Sequence, residues 1–184
     1  VFIYDMGGAY SEADGRNDMV VYSSVDDGVT WNYSFYIYNA SANIDLPDVE
    51  ALDDRLLFLH STYYDDGTST MGIFWLLNDF SNYNTTFLEM PEGFDTFEWG
   101  SILADKFYYD IESTWVYITY MVWDSSTGNA GVYYTRSIDF GLTLENLTQM
   151  FTESMYTEDV AGSIVYYRPG IATAYSYGFE EFVW

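Results

Sequence analysis

Two eight-residue stretches carry one polar frame. Ser24-Val25-Asp26-Asp27-Gly28-Val29-Thr30-Trp31 recurs as Ser137-Ile138-Asp139-Phe140-Gly141-Leu142-Thr143-Leu144, with Leu144 where the first copy has Trp31. Each frame residue has a physical role. The Asp accepts hydrogen bonds from backbone N–H groups just ahead of it and mimics a turn. The Gly takes the positive φ that a tight reversal needs. Thr30 and Trp31 restart an extended run, and Trp31 offers a large face to pack under the turn. Aromatic, β-branched runs flank the first copy, Met19 to Ser24 before it and Trp31 to Tyr38 after it, which is the pattern of a β-hairpin.

Composition agrees with strands throughout. Aromatic residues make up 21% of the 184 residues, Tyr alone 20 of them, and no helical periodicity of any length is present. The chain is long enough to bury a core as one domain. It has no Cys, so no disulfide staples it. No apolar run approaches the ~18 residues of a membrane span, so direct membrane insertion is not expected. Val1 in place of an initiator Met reads as a processed or partial chain.

Repeats extend beyond the two turns. Leu56 to Asp65 aligns with Trp115 to Asp124, each a strand ending in an aromatic and an Asp, at an offset of 59. Gly72-Ile73-Phe74-Trp75 then matches Gly131-Val132-Tyr133-Tyr134. Asp18 to Tyr22 fits the same frame, and Gly162 to Val165 echoes Gly100 to Leu103. Leu77 to Asn84 occupies the turn position of the middle repeat. Its Asp79-Phe80 echoes Asp139-Phe140, but the Gly and Thr are gone. A period of roughly 55–60 residues with about four strands per unit is the signature of propeller blades.

The S-x-D-x-G-x-T-W frame resembles the Asp box of the sialidase-like (BNR-repeat) β-propellers. The resemblance implies an all-β propeller of four-stranded antiparallel blades, with about three to four blades present as a fragment or incomplete ring. The blades span roughly residues 1–39 (partial), 44–90, 94–151 and 160–184 (partial). In that setting Ser24, Asp26, Gly28, Thr30, Trp31, Ser137, Asp139, Gly141 and Thr143 brace turns and do no chemistry. Either the chain is a fragment of a longer one, or Val1 to Met6 and Phe179 to Trp184 complete each other or a neighbouring copy, since unpaired ends such as Phe2 to Tyr4 and Phe182 to Trp184 would be sticky edges.

Sialidases hold a substrate carboxylate with an arginine triad and use a Tyr/Glu pair with an Asp acid. Only Arg16, Arg55, Arg136 and Arg168 exist here, beside the single Lys106. In an antiparallel blade Arg55, Lys106 and Arg168 fall on the Asp-box face. The sugar-binding face carries Asp14, Asp45, Asp65, Asp66, Asp95, Asp124, Glu153, Glu158 and Asp159. With 29 acids against five bases, a net charge of −24 repels nucleic acid and anionic sugars. No Ser-His-Asp set, phosphate loop or metal-ligand spacing is visible, and His60 inside an apolar strand reads as a core histidine. No catalytic residue is assigned and no cofactor is required. Asp65 and Asp66, and Asp53-Asp54, are candidate oxygen ligands for calcium.

Four N-x-S/T sequons occur, at Asn32, Asn39, Asn84 and Asn146, and three of them follow the three turns. They point to a secreted or cell-surface glycoprotein. The expected role is a non-catalytic structural, adhesive or carbohydrate/protein-binding module whose partners are glycans, extracellular proteins or further copies of itself. The alternative is a glycoside hydrolase of sialidase-like fold.

The charge generates a test. Folding concentrates −24 into a small volume, and salt screens the repulsion over a Debye length near ~10 Å at 0.1 M. The melting temperature is expected to rise along a NaCl series; a flat response removes the self-repulsion argument. A CaCl₂ response above that of matched ionic strength, reversed by EDTA, marks bound calcium.

Overall fold

β-Branched and aromatic residues dominate the runs between the Gly/Asp/Ser turns, and the chain forms strands there and no helix among the described residues. The computed structural model describes residues 2–6, 19–37, 42–104, 115–154, 172–176 and 179–183. The strands are β1 (Phe2–Met6), β2 (Met19–Ser23), β3 (Asn32–Ile37), β4 (Ala42–Ala51), β5 (Arg55–Tyr64), β6 (Ser69–Leu77) and β7 (Tyr83–Phe87). They continue as β8 (Thr96–Ala104), β9 (Val116–Asp124), β10 (Asn129–Ser137), β11 (Thr148–Ser154), β12 (Ala172–Ser176) and β13 (Phe179–Val183).

Every pairing is antiparallel between strands consecutive in the chain. The result is a three-stranded sheet β1-β2-β3, two four-stranded sheets β4-β5-β6-β7 and β8-β9-β10-β11, and a hairpin β12-β13. The described sheets do not close into a barrel or ring. The unit spacing is not constant. From the second sheet to the third, first strands start 54 residues apart and last strands 65, because three residues join β4 to β5 but eleven join β8 to β9, and five join β6 to β7 but ten join β10 to β11.

The second sheet is buried on both faces. Along β5, Leu57 and Leu59 point into a core shared with the third sheet, which includes Ile73, Trp75, Phe97, Ile102, Ile118, Tyr120 and Val122. Leu56 and Phe58 point the other way, into a core with Met19 and Val21 of the first sheet, and with Ile44, Phe74 and Leu76. That alternation explains why β5 and β6 read as unbroken apolar runs instead of an apolar/polar alternation. Each fully buried side chain of this kind contributes about 1.5–3 kcal/mol.

Polar bonds fix how the third sheet sits on the second. Asp48 Oδ2 in β4 accepts from Ser101 Oγ at 2.8 Å and from Ile102 N at 3.1 Å, both in β8. Phe97 N donates to Ser69 Oγ at 2.7 Å, and Tyr120 Oη donates to the Glu89 carbonyl at 2.9 Å. Both first strands bulge, β4 between Asp45 and Asp48 and β8 between Phe97 and Gly100. The first bulge holds Pro47, which has no N–H to give a ladder. The second ends at Gly100, where a Cβ would stand 2.5 Å from Leu59 Cδ2 and 3.2 Å from the Thr119 carbonyl.

Gly100→Ala is therefore expected to cost about 1–3 kcal/mol through overpacking. Val29→Ala, at a side chain 80% exposed, stays within about 0.5 kcal/mol. Urea denaturation compares them; equal midpoints for Gly100→Ala and the parent chain would show that β8 can move off the second sheet without loss.

Candidate functional site

The two Ser-x-Asp-x-Gly-x-Thr stretches form matching turns, the first between β2 and β3 and the second between β10 and β11. Ser24 Oγ donates to Asp26 Oδ1 at 2.8 Å, and Ser137 Oγ donates to Asp139 Oδ1 at 2.7 Å. Gly28 N and Gly141 N each donate to the serine Oγ at 2.8 Å. Thr30 N and Thr143 N each reach the Asp Oδ1 at 2.8 Å, and the threonine hydroxyls close on Oδ2 at 2.6 and 2.7 Å. Both oxygens of each carboxylate are thus engaged by their own loop, as a turn brace requires.

The bonds set the acidity. Thr30's hydroxyl and N–H, with Ser24, hold the Asp26 carboxyl down at about 2. At Asp139 burial pulls upward, but the bonds from Thr143 and Ser137 outweigh it and the carboxyl lies below its ordinary value. The glycines take φ of +88° and +83°, and the residue before each is also left-handed, Asp27 at +56° and Phe140 at +64°. Trp31 packs under the first turn, with its Cζ2 3.5 Å from where a Gly28 Cβ would be.

The middle turn keeps one element of this geometry. Phe80 has φ +60°, and Asp79 Oδ1 accepts from Ser81 N at 2.9 Å. Phe80 packs in the core between the first and second sheets, and Phe140 in the core between the second and third. Each Phe therefore latches its own turn onto the preceding sheet. The Arg55 guanidinium stacks 4.0 Å from the Phe140 ring centroid while Asp54 Oδ2 holds it at 2.7 Å. Arg136, the other cation among the described residues, bonds Glu145 through Nε at 2.6 Å and lies 4.6 Å from the Trp115 ring centroid. Lys106, Arg16 and Arg168 fall outside the described residues.

Among the other predicted site residues, Asn32, Asn84 and Asn146 are exposed, while Asn39 lies outside the described residues. Asp65 and Asp66 occupy the exposed β5–β6 turn. The Asp66 Oδ1 accepts from the Thr68 hydroxyl at 2.6 Å and from Thr68 N at 3.0 Å, and these bonds hold its carboxyl below the ordinary value. Asp54 is committed to Arg55, and the Asp53 carbonyl accepts from Asn78 Nδ2 at 2.8 Å. Among the described residues no three His, Asp or Glu side chains converge as a metal site. His60 is buried, with its Nδ1 3.4 Å from Thr62 Oγ1, and burial lowers it to about 4.

A cluster not singled out from the sequence lies at the opposite end of the sheets. Tyr63 Oη of β5 donates to the Glu98 carbonyl in the β8 bulge at 3.1 Å. Burial, then the charges of Glu98 and Asp45, push the Tyr63 phenol up to about 12, and burial raises the Glu98 carboxyl. Nearby in the same end of the fold, Asp95 accepts from Ser125 N at 3.1 Å, and bonds from Thr127 and Ser126 hold Asp124 at about 2. The signal in the sequence was weak, since Tyr63 and Glu98 are 35 residues apart and meet only because two sheets stack.

No family model, curated protein or solved structure matches this chain.

Two consequences are measurable. Asp139→Ala strips Ser137 and Thr143 of their acceptor and is expected to cost about 1–3 kcal/mol, Asp139→Asn less because one oxygen remains. The acid dependence has two limbs, because both groups have depressed folded-state values. His60 contributes a loss of stability as pH falls from about 6.5 to about 4, and Asp26 a further loss from about 3.8 to about 2. Denaturation midpoints against pH should show the upper limb flatten in His60→Leu; an unchanged limb would remove His60 as its source.

Proposed function

We propose that this chain is an Asp-box, sialidase-like β-propeller or a fragment of one, with the described sheets as successive blades. It acts as a non-catalytic, secreted or cell-surface module that is structural, adhesive or binds carbohydrate or extracellular protein. The observation that carries the non-catalytic reading is the state of the two described cations. Arg55 and Arg136 are each bonded to a neighbouring carboxylate and stacked on an aromatic ring, so neither is placed to hold a substrate carboxylate. The saturated carboxylates of both turns support the same reading, since they brace loops. The acidic end favours neutral glycans or basic protein surfaces over anionic partners. Calcium bound at Asp65 and Asp66 would act as a surface ligand and not as a reagent.

A glycoside hydrolase is the second reading, and the Tyr63–Glu98–Asp45 cluster favours it. Glu98, half-buried and raised by burial, and Asp45, exposed, both act on the Tyr63 phenol, and carboxyls in unlike environments at one site can divide acid and base roles. Against it, a phenol pushed up to about 12 is not activated as a nucleophile at neutral pH.

The test immobilises the protein and presents neutral and sialylated oligosaccharides and their fluorogenic glycosides. Retention of neutral glycans or basic proteins with no fluorophore release is the expected result. Release that is lost in Glu98→Gln would replace the binding module with the hydrolase.

A further inference from the structure

Two of the three last strands, β3 and β7, lack the charge or proline that ordinarily protects a sheet edge, while β11 carries Glu153. β3, β7 and β11 stand at the ends of their sheets, each with a neighbouring strand on one side among the described residues. Such edges template pairing with other chains and are ordinarily blunted by charge, lysine or proline. β3 reads NYSFYI and β7 reads YNTTF, with no charged residue and no proline in either, although the chain has 29 acids. Both also expose rings: Tyr33 is 53% exposed, Tyr83 57% and Phe87 59%.

Each of these strands has a sequon at its start. Asn32 is the first residue of β3, Asn84 the second of β7, and Asn146 stands two residues before β11. All three are exposed, at the end of the sheets where the strand-to-strand turns lie. At Asn84 the Oδ1 accepts from Thr85 N at 2.8 Å, a bond that leaves out the amide nitrogen. The third sequon position is a hydroxyl in every case, Ser34, Thr86 and Thr148.

We propose that Asn32, Asn84 and Asn146 carry N-linked glycans that blunt the three outer edges. The modification joins Asn Nδ2 to the anomeric carbon of an oligosaccharide held on a polyprenyl diphosphate. The carbon–oxygen bond to the diphosphate breaks, the lipid diphosphate leaves with the electron pair, and the amide nitrogen gives up one proton. A hydrated, branched chain at the start of each edge strand then covers the exposed rings and excludes a second strand sterically. The inference rests on the secreted or cell-surface reading proposed above, but it stands whether or not the sheets are propeller blades.

The chain is secreted from eukaryotic cells, and glycopeptides are read by mass spectrometry after endoglycosidase release in H₂¹⁸O, which marks each occupied Asn as labelled Asp. The folded glycoprotein is then deglycosylated enzymatically, so no variant has to fold, and its mass is followed by light scattering. All three sites occupied, with a roughly twofold or larger rise in weight-average mass on deglycosylation, is the expected result. A bare asparagine at any of the three sites overturns the proposal. So does a deglycosylated protein that stays as monodisperse as the glycosylated one.

Discussion

Burial of the second sheet on both faces is the constraint on which the rest depends. Leu57 and Leu59 have their partners in the third sheet, Leu56 and Phe58 theirs in the first. A β-strand sends alternate side chains to opposite faces, so an unbroken apolar strand demands a cover on each side. The first and third sheets are those covers. Gly100 lets β8 approach closely, and Asp48 then supplies the acceptor that the β8 backbone meets on arrival.

The turns extend the same packing. The element shared by all three is the residue with left-handed backbone, Asp27, Phe80 and Phe140, at φ between +56° and +64°. That conformation is unfavourable for a side chain with a Cβ. At Phe80 and Phe140 the ring reaches into the core against the preceding sheet, which offsets the backbone cost. At Asp27, in the first of the sheets, the side chain is exposed. The full Ser/Asp/Thr bond set is present where the connection is long and absent where it has shrunk to five residues. A short connection closes with one Asp–Ser bond pair, so the middle turn keeps its direction without the frame.

The charge is organised by the same economy of local bonds. Asp26, Asp66, Asp79, Asp95, Asp124 and Asp139 each accept from a Ser or Thr close by and sit below the ordinary carboxyl value. These six of the 29 acids are therefore turn formers as much as surface charge. This helps a chain of net charge −24 remain folded with few cations to neutralise it. It also separates them from Glu98, whose carboxyl lies where two sheets meet and is shifted the other way.

The sequence by itself determined the turns, the strands and the order of their pairing. Ser24 to Trp31 encodes its hydrogen bonds within eight residues, and an Asp, a Gly and a Thr at fixed spacing leave few other ways to satisfy them. Short connections then make consecutive strands antiparallel neighbours. The tertiary structure decided what lies between sheets. Phe140 under Arg55, Gly100 against Leu59 and Tyr63 on the Glu98 carbonyl join residues 85, 41 and 35 positions apart. Local propensity carries no record of such contacts, because they exist only once both faces of the second sheet have found their covers.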